Sequence, residues 1–304
     1  MGVTSIIVPV YNEEQNIRHF YSELMKYAPV EMELLWIDDG STDNTFLEIE
    51  DICQQNSSLK CISFSRNFGH QNAILAGLQY ATGNYFIIMD GDLQHPPAII
   101  PGMLKKLEEG YNIVNSKRIS TKKINFFKLI ASNFYYWFLN MIAEIDVQKN
   151  NADFKAFDKK VYNAIMKFEE REQFIRGIFS WIGFKSTTIE FTALARDYGK
   201  TKYSLNKMIR FGITGITSFS LKPLKIAFLT GLILSFLSLL FILYALYAHM
   251  TGRTISGWTS IIISVVFLGG VQLIFTGIIG IYVGQILVEA KKRPVYLVQN
   301  TIHI

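Results

Sequence analysis

Residues 85–94 read Tyr-Phe-Ile-Ile-Met-Asp-Gly-Asp-Leu-Gln. Such an apolar run suits a strand buried on both faces, the habit of parallel sheets. It stops at two carboxylates flanking a glycine. The same grammar recurs upstream. Thr4–Val10 (TSIIVPV) runs into Tyr11-Asn12-Glu13, Glu33–Ile37 into Asp38-Asp39-Gly40-Ser41-Thr42-Asp43, and Leu59–Ser65 into Arg66-Asn67-Phe68-Gly69-His70. Helical stretches separate these runs. Asn12 is placed to cap one reaching about Ala28, a second reaches about Gln55, a third about Ala81, and Pro96-Pro97 open a fourth. Asn112–Asn115 reads as a fifth strand. This alternation predicts a mostly parallel α/β sheet. In open α/β sheets ligands bind beyond the carboxyl ends of the strands, so loops 38–43, 66–70 and 90–94 are expected to converge. Neither G-x-G-x-x-G nor G-x-x-x-x-G-K-[ST] occurs, which excludes the usual dinucleotide and P-loop fingerprints.

Beyond this region the chemistry of the chain changes. Of 304 residues, 50% are apolar and 14% aromatic, with a mean hydropathy of +0.22, which excludes a disordered chain. Two cysteines, Cys53 and Cys61, make neither a disulfide scaffold nor a four-cysteine zinc site, and read as reduced thiols of a cytosolic domain. The first 115 residues carry 6 Lys and Arg against 15 Asp and Glu, and the remainder 24 against 10. A basic half suits nucleic acid or an anionic membrane surface. Apolar content decides for the membrane, and no nucleic-acid partner is expected. Ile226–Met250 and Thr254–Val288 contain no Asp, Glu, Lys or Arg. Spans of about 226–248 and 260–284 exceed the roughly 20 residues that cross a bilayer. Lys222 and Lys225 precede them, Lys291, Lys292 and Arg293 follow, and only Arg253 lies between. The positive-inside rule then puts both termini in the cytoplasm of a multi-pass cell-membrane protein. No basic and apolar leader precedes the first strand, so no signal peptide is expected. Gly280-Ile-Tyr-Val-Gly284 is a small-xxx-small pattern that allows close helix approach, and with it a homo-oligomer. The expected organisation is a catalytic domain over 1–205, an amphipathic juxtamembrane segment over 206–225, a hairpin over 226–288 and a cytoplasmic tail over 289–304.

Asp90 and Asp92 offer hard oxygen ligands of the kind Mg²⁺ or Mn²⁺ takes when it also binds substrate phosphates. A lone D-x-D also suits a solvated turn, and Asp38–Ser41 a turn with a helix cap. His70 and His95 have no zinc-site spacing and are assigned no ligand role. Phe126–Ala143, preceded by Lys122 and Lys123, reads either as an interfacial helix or as an ordinary packed one.

Together, Val8-Pro9-Val10-Tyr11-Asn12-Glu13, Asp38–Asp43, Ser65–Gly69 and Met89–Gln94 resemble the nucleotide-sugar transferases of glycosyltransferase family 2. The resemblance continues through Lys117-Arg118, Ala152-Asp153-Phe154, Arg176-Gly177 with Trp181-Ile182-Gly183, and Arg196 with Gly199–Tyr203. With two terminal spans, the chain is similar to membrane-anchored polyprenyl-phosphate hexosyltransferases of the bactoprenol glucosyltransferase type, relatives of dolichyl-phosphate mannose synthase. That resemblance implies a GT-A, Rossmann-like domain. It implies that Pro9, Tyr11, Glu13 and Asp39, with Asn67, line the nucleoside side of a nucleotide-sugar pocket. It places Asp90, Gly91 and Asp92 at the diphosphate, with Asp90, Asp92 and Gln94 on Mg²⁺ or Mn²⁺. Arg118, Arg196 and Lys202 would neutralise phosphate charge. Asp153 would stand near the sugar and acceptor, although a helix N-cap also suits it. Lys155 follows Phe154 where arginine is frequent in the family.

The implied reaction is inverting transfer of a hexose, glucose foremost, from a UDP-sugar to polyprenyl (undecaprenyl) phosphate, giving a lipid-linked sugar for cell-envelope glycosylation. Lys122, Lys123 and Lys128 would meet the acceptor phosphate and anionic membrane lipids. Two rivals share the carboxylate loops. A processive polysaccharide synthase carries Q-x-x-R-W, but here Gln173-Phe174-Ile175-Arg176 is followed by Gly177. A catalytically dead membrane scaffold is disfavoured by the joint presence of Asp39, Asp90, Asp92, Gln94 and Arg118.

Overall fold

The computed structural model describes residues 2–119, 151–170, 175–192, 220–251 and 257–304. Thr4–Val10 forms β1, Ile17–Met25 α1, Met32–Asp38 β2, Thr45–Cys53 α2, Leu59–Phe64 β3, His70–Tyr80 α3 and Tyr85–Ile88 β4. A 3₁₀ turn at Pro97–Ile99 leads into α4 (Ile100–Glu108), followed by β5 (Ile113–Ile119), β6 (Asn151–Asp158), α5 (Lys159–Ile165), α6 (Ile175–Trp181) and β7 (Ser186–Thr192). Two long helices, α7 (Lys222–Met250) and α8 (Trp258–Ala290), precede a last strand, β8 (Val298–Ile302).

One sheet of eight strands runs in the order β7-β5-β6-β4-β1-β2-β3-β8. The expected parallel core is β4-β1-β2-β3. All seven residues of β1 are buried, because helices cover both faces. Period-two alternation divides them: Ile6, Val8 and Val10 pack with α1, α2 and α4, whereas Ile7 packs with α3, α5 and α6. Antiparallel pairings frame this core. β6 inserts between β4 and β5, and β8 closes the β3 edge. The sheet is therefore mixed, and residues 298–302, expected in a cytoplasmic tail, form one of its strands.

Asn12 also differs from expectation. Helix α1 starts at Ile17 with Asn16 at its cap position. Asn12 adopts a left-handed conformation at φ 53°, and its Oδ1 accepts a 2.8 Å hydrogen bond from the Thr42 N–H. The polar side chain stitches two loops together instead of capping a helix.

Helices α7 and α8 contain segments long and apolar enough to cross a membrane, Lys222–Tyr244 and Ile263–Ala290, with mean hydropathies of 2.6 and 2.1. Almost none of either segment is buried within the protein, as expected for surfaces that face lipid. The hydroxyls of Thr230, Ser238 and Thr276 donate to carbonyls four residues earlier, at 2.8, 2.8 and 2.9 Å, which satisfies them without water.

Candidate active site

The carboxyl ends of β1, β2 and β4 lie side by side, so the loops that follow them meet. The first two are laced together: Asn12 N donates to Ser41 Oγ at 2.9 Å, and Glu13 N to Thr45 Oγ1 at 2.9 Å. Asp38 is structural, accepting from the Ser41 N–H at 3.0 Å and the Ser63 hydroxyl at 2.7 Å. At Gly40 the backbone is left-handed (φ 66°), and a Cβ would lie 2.3 Å from the Arg66 carbonyl carbon. Only glycine lets loop 38–43 touch loop 65–69 there. Across this contact the Asp39 carboxylate accepts the Phe68 N–H at 2.7 Å and the Gly69 N–H at 3.0 Å. Asp39 is 3% exposed. Burial pushes its carboxyl up to about 6, against those two N–H groups and nearby His70, which favour the ionised form.

The turn after β4 is tightly specified. A Cβ on Gly91 would lie 2.7 Å from Val10 Cγ1 and 3.3 Å from Val8 Cγ1, so the turn rests directly on the end of β1. Leu93 is left-handed at φ 58°, which costs about 1–2 kcal/mol. Its side chain is buried in the core, a gain of roughly 1.5–3 kcal/mol that offsets the strain. Asp92 Oδ1 accepts the Gln94 N–H at 3.1 Å, and Arg118 reaches from β5 to 3.4 Å from Gln94 Oε1. The Asp90 N–H donates to His95 Nδ1 at 3.1 Å, and the buried His95 ring stacks on Phe154 at 5.2 Å.

Two side chains tie this turn to β6. His70 opens α3 with its Nε2 3.4 Å from Asp90 Oδ1 and 3.7 Å from Asp153 Oδ2. Asp153 lies within β6 and is not a helix cap; Asp158 caps α5, accepting the Val161 N–H at 3.0 Å. His70, to which the sequence spacing gave no role, thus bridges carboxylates far apart in the chain.

Of the expected site residues, the structure joins Asp39 with the loop containing Asn67, and Asp90, Gly91, Asp92 and Gln94 with Arg118 and, through His70, Asp153. Pro9 lies in β1, Tyr11 and Glu13 follow its end, and Glu13 Oε2 accepts from Asn16 Nδ2 at 2.6 Å. Arg196, Lys202, Lys122, Lys123, Lys128 and the stretch 126–143 lie outside the described residues.

The donor set suits a hard divalent cation. Asp90 Oδ1 is itself buried and makes no hydrogen bond among the described residues, with His70 Nε2 3.4 Å away, so it keeps an oxygen lone pair open to a cation. Asp92 and Gln94 carry further side-chain oxygens on the same turn. Among the described residues, no three His, Cys, Asp or Glu form a complete cage. An ion held here would share its coordination with water and substrate oxygens, as Mg²⁺ and Mn²⁺ do.

Comparison with known proteins gives the family and the fold. The description "Glycosyl transferase family 2" matches residues 5–167. An uncharacterized glycosyltransferase of Bacillus subtilis, YkcC, is 40% identical over 301 residues, spanning 98% of this chain and 93% of the relative. The bactoprenol glucosyl transferase of Shigella phage SfV is 34% identical over 300 residues, spanning 97% and 98%. Among solved structures, a glucosyl-3-phosphoglycerate synthase from Mycobacterium tuberculosis, bound to Mn²⁺, UDP and phosphoglyceric acid, superposes with a TM-score of 0.52 at 16% identity, over 71% of this chain and 76% of that one. A mannosyltransferase from Pyrobaculum calidifontis, bound to GDP-Man and Mn²⁺, gives a TM-score of 0.50 at 16% identity, over 71% and 63%. The chain is a glycosyltransferase of GT-A fold and belongs to glycosyl transferase family 2.

Proposed function

We propose that the protein transfers a hexose from a UDP-sugar, glucose foremost, to polyprenyl phosphate at the cytoplasmic membrane face, with inversion at the anomeric carbon. One observation carries this reading: the Asp90–His70–Asp153 constellation lies beyond the carboxyl end of β4, in a chain that continues into two lipid-length helices. The full-length relatedness to a bactoprenol glucosyl transferase supports the lipid acceptor. A phosphate on a long isoprenoid stays at the bilayer, so the enzyme must hold its crevice there.

In the reaction an oxygen of the lipid phosphate attacks the anomeric carbon, the carbon–oxygen bond to the diphosphate breaks, and UDP departs with the bonding pair. Asp90, Asp92 and Gln94 would hold Mg²⁺ or Mn²⁺, which when bound neutralises the diphosphate. Arg118, beside Gln94, adds positive charge where the leaving group forms. The acceptor is already largely anionic, since a phosphate monoester's second pKa is about 6. Asp153 accordingly positions the reactants instead of generating the nucleophile. Asp39, with its loop, holds the nucleoside.

Labelled UDP-glucose and undecaprenyl phosphate, supplied to the full-length protein in nanodiscs, test the proposal. A single hexose on the lipid is expected. A polymer would instead establish a processive synthase, and no product with any nucleotide sugar a scaffold.

The Asp39 carboxyl gives this reading a pH signature. Its folded pKa of about 6 is above the usual value near 3.9. The folded protein therefore binds the extra proton, and this group's stabilising contribution is full below pH 4 and lost as pH rises through 6. UDP binding should respond the other way, because the protonated carboxyl holds the Phe68 and Gly69 N–H groups less well. Calorimetry should show affinity falling several-fold from pH 7.5 to 5, and Asp39→Asn should flatten that dependence. A wild-type affinity independent of pH would count against it.

The proposed topology places both termini in the cytoplasm and the loop between the spans outside. Cys53 and Cys61 are fully buried, so they give little background to a thiol reagent. A cysteine replacing Ser256 should label from outside intact cells, and one replacing Asn300 should not. The reverse pattern would invert the topology.

A further inference from the structure

The chain leaving α8 returns to the sheet within seven residues, 291–297, which span at most about 24 Å. It then forms β8, pairing Cys61 with Ile302, Ile62 with Thr301, Ser63 with Asn300 and Phe64 with Val298. The register shifts between Ser63 and Phe64, where loop 65–69 begins. Most of β8 is exposed, so it adds little to the core. Just before β8, Tyr296 and Leu297 reach the end of β3 and the start of that loop. The Ser65 N–H donates to the Leu297 carbonyl at 3.0 Å. The Tyr296 ring stacks on Phe64, with centroids 4.8 Å apart and planes 17° from parallel. Phe64 meets Phe68 edge-on at 5.8 Å, and the Arg66 guanidinium lies 4.0 Å above the Phe68 ring. On its far side the Tyr296 hydroxyl donates to Gln79 Oε1 of α3, the helix that begins with His70. Phe68 is the residue whose N–H meets Asp39.

We propose that Tyr296 is a positioning residue for the donor site: its ring braces Phe64, through Phe64 the ring of Phe68, and so the backbone N–H groups that hold Asp39. The segment that exits the membrane thereby sets the order of the nucleotide loop. The proposal rests on the reading that this loop binds the donor.

An aromatic pair contributes about 0.5–1.5 kcal/mol beyond its buried area, equivalent to about two- to tenfold in a binding constant. In the full-length protein in nanodiscs, Tyr296→Ala should raise the KM for the UDP-sugar and the Kd for UDP about three- to tenfold, with kcat changed less than about twofold. Tyr296→Phe keeps the ring and should behave as wild type. Hydrogen exchange of the Phe68 and Gly69 amides should quicken in Tyr296→Ala while β1 stays protected. If the alanine variant does not fold, Tyr296→Leu, which keeps apolar contact without stacking, takes its place. Unchanged exchange at Phe68 and Gly69 would overturn the brace. So would a kcat loss matching the KM effect, or a Tyr296→Phe variant as impaired as the alanine one. Asp39→Asn separates the two ideas. If it leaves donor KM unchanged while exchange still quickens in Tyr296→Ala, the loop is braced but is not the donor site, and the assignment of Tyr296 to donor positioning falls with that reading.

Discussion

Asp92→Asn is expected to slow sugar transfer by about 10²–10³-fold or more while leaving the fold intact. The substitution keeps the shape of the side chain. An asparagine Oδ1 can still accept the Gln94 N–H that Asp92 accepts at 3.1 Å, so the turn should close as before. Gly91 packed on Val10 and the buried Leu93 hold the turn independently of that charge. What disappears is one of two formal negative charges that would hold a divalent cation, and with it the neutralisation of the departing diphosphate. The measurement is single-turnover transfer in Mg²⁺ and in Mn²⁺, beside a thermal melt that should shift by no more than a few degrees. Near-normal turnover of the variant with either ion would remove Asp92 from the metal assignment. Wild-type transfer undiminished in EDTA would remove the metal itself.

The turn that carries this prediction was legible from the sequence because its signals are local. An apolar run ending in D-x-D fixes both a strand and the loop at its carboxyl end, and Gly40 and Gly91 stand where the Arg66 backbone and the Val10 side chain leave no room for a Cβ. The parallel core followed from the spacing of such runs. What stayed hidden is long-range. The β6 strand pairs with β4 some 70 residues earlier, and an eight-residue segment with alternating polarity does not announce which edge it will join. The sequence Val-Gln-Asn-Thr-Ile of β8 is too short and polar to be read as a strand; it becomes one because β3 offers an unpaired edge. His70 is silent in the sequence for the same reason. Its spacing resembles no metal motif, and its proximity to Asp90 and Asp153 exists only once α3 begins over the end of β4 and β6 lies beside it. Asn12 is the complementary case: its residue type suits capping the nearest helix, but its left-handed backbone turns the side chain to the neighbouring loop.

Asp153 provides the second large effect and the sharper mechanistic test. Its side chain is 10% exposed, with Oδ2 3.7 Å from His70 Nε2. Losing a catalytic base typically costs about 10²–10⁴-fold, and losing one charge-stabilising group about 10²–10³-fold, so magnitude alone cannot assign its role. The pH dependence can. A lipid phosphate brings its own charge and needs no strong base, in contrast to a sugar hydroxyl. Asp153→Asn is therefore expected to slow transfer by a similar factor at pH 6 and at pH 9, because what it loses is orientation of groups already ionised. Were Asp153 a true base, hydroxide or the fully formed dianion would substitute for it as pH rises, and the deficit would shrink. Single-turnover transfer to a short-chain polyprenyl phosphate across that range makes the comparison without interference from product release. A deficit that collapses at high pH would show that Asp153 removes a proton from the acceptor, and the nucleophile would then be generated within the site instead of arriving charged.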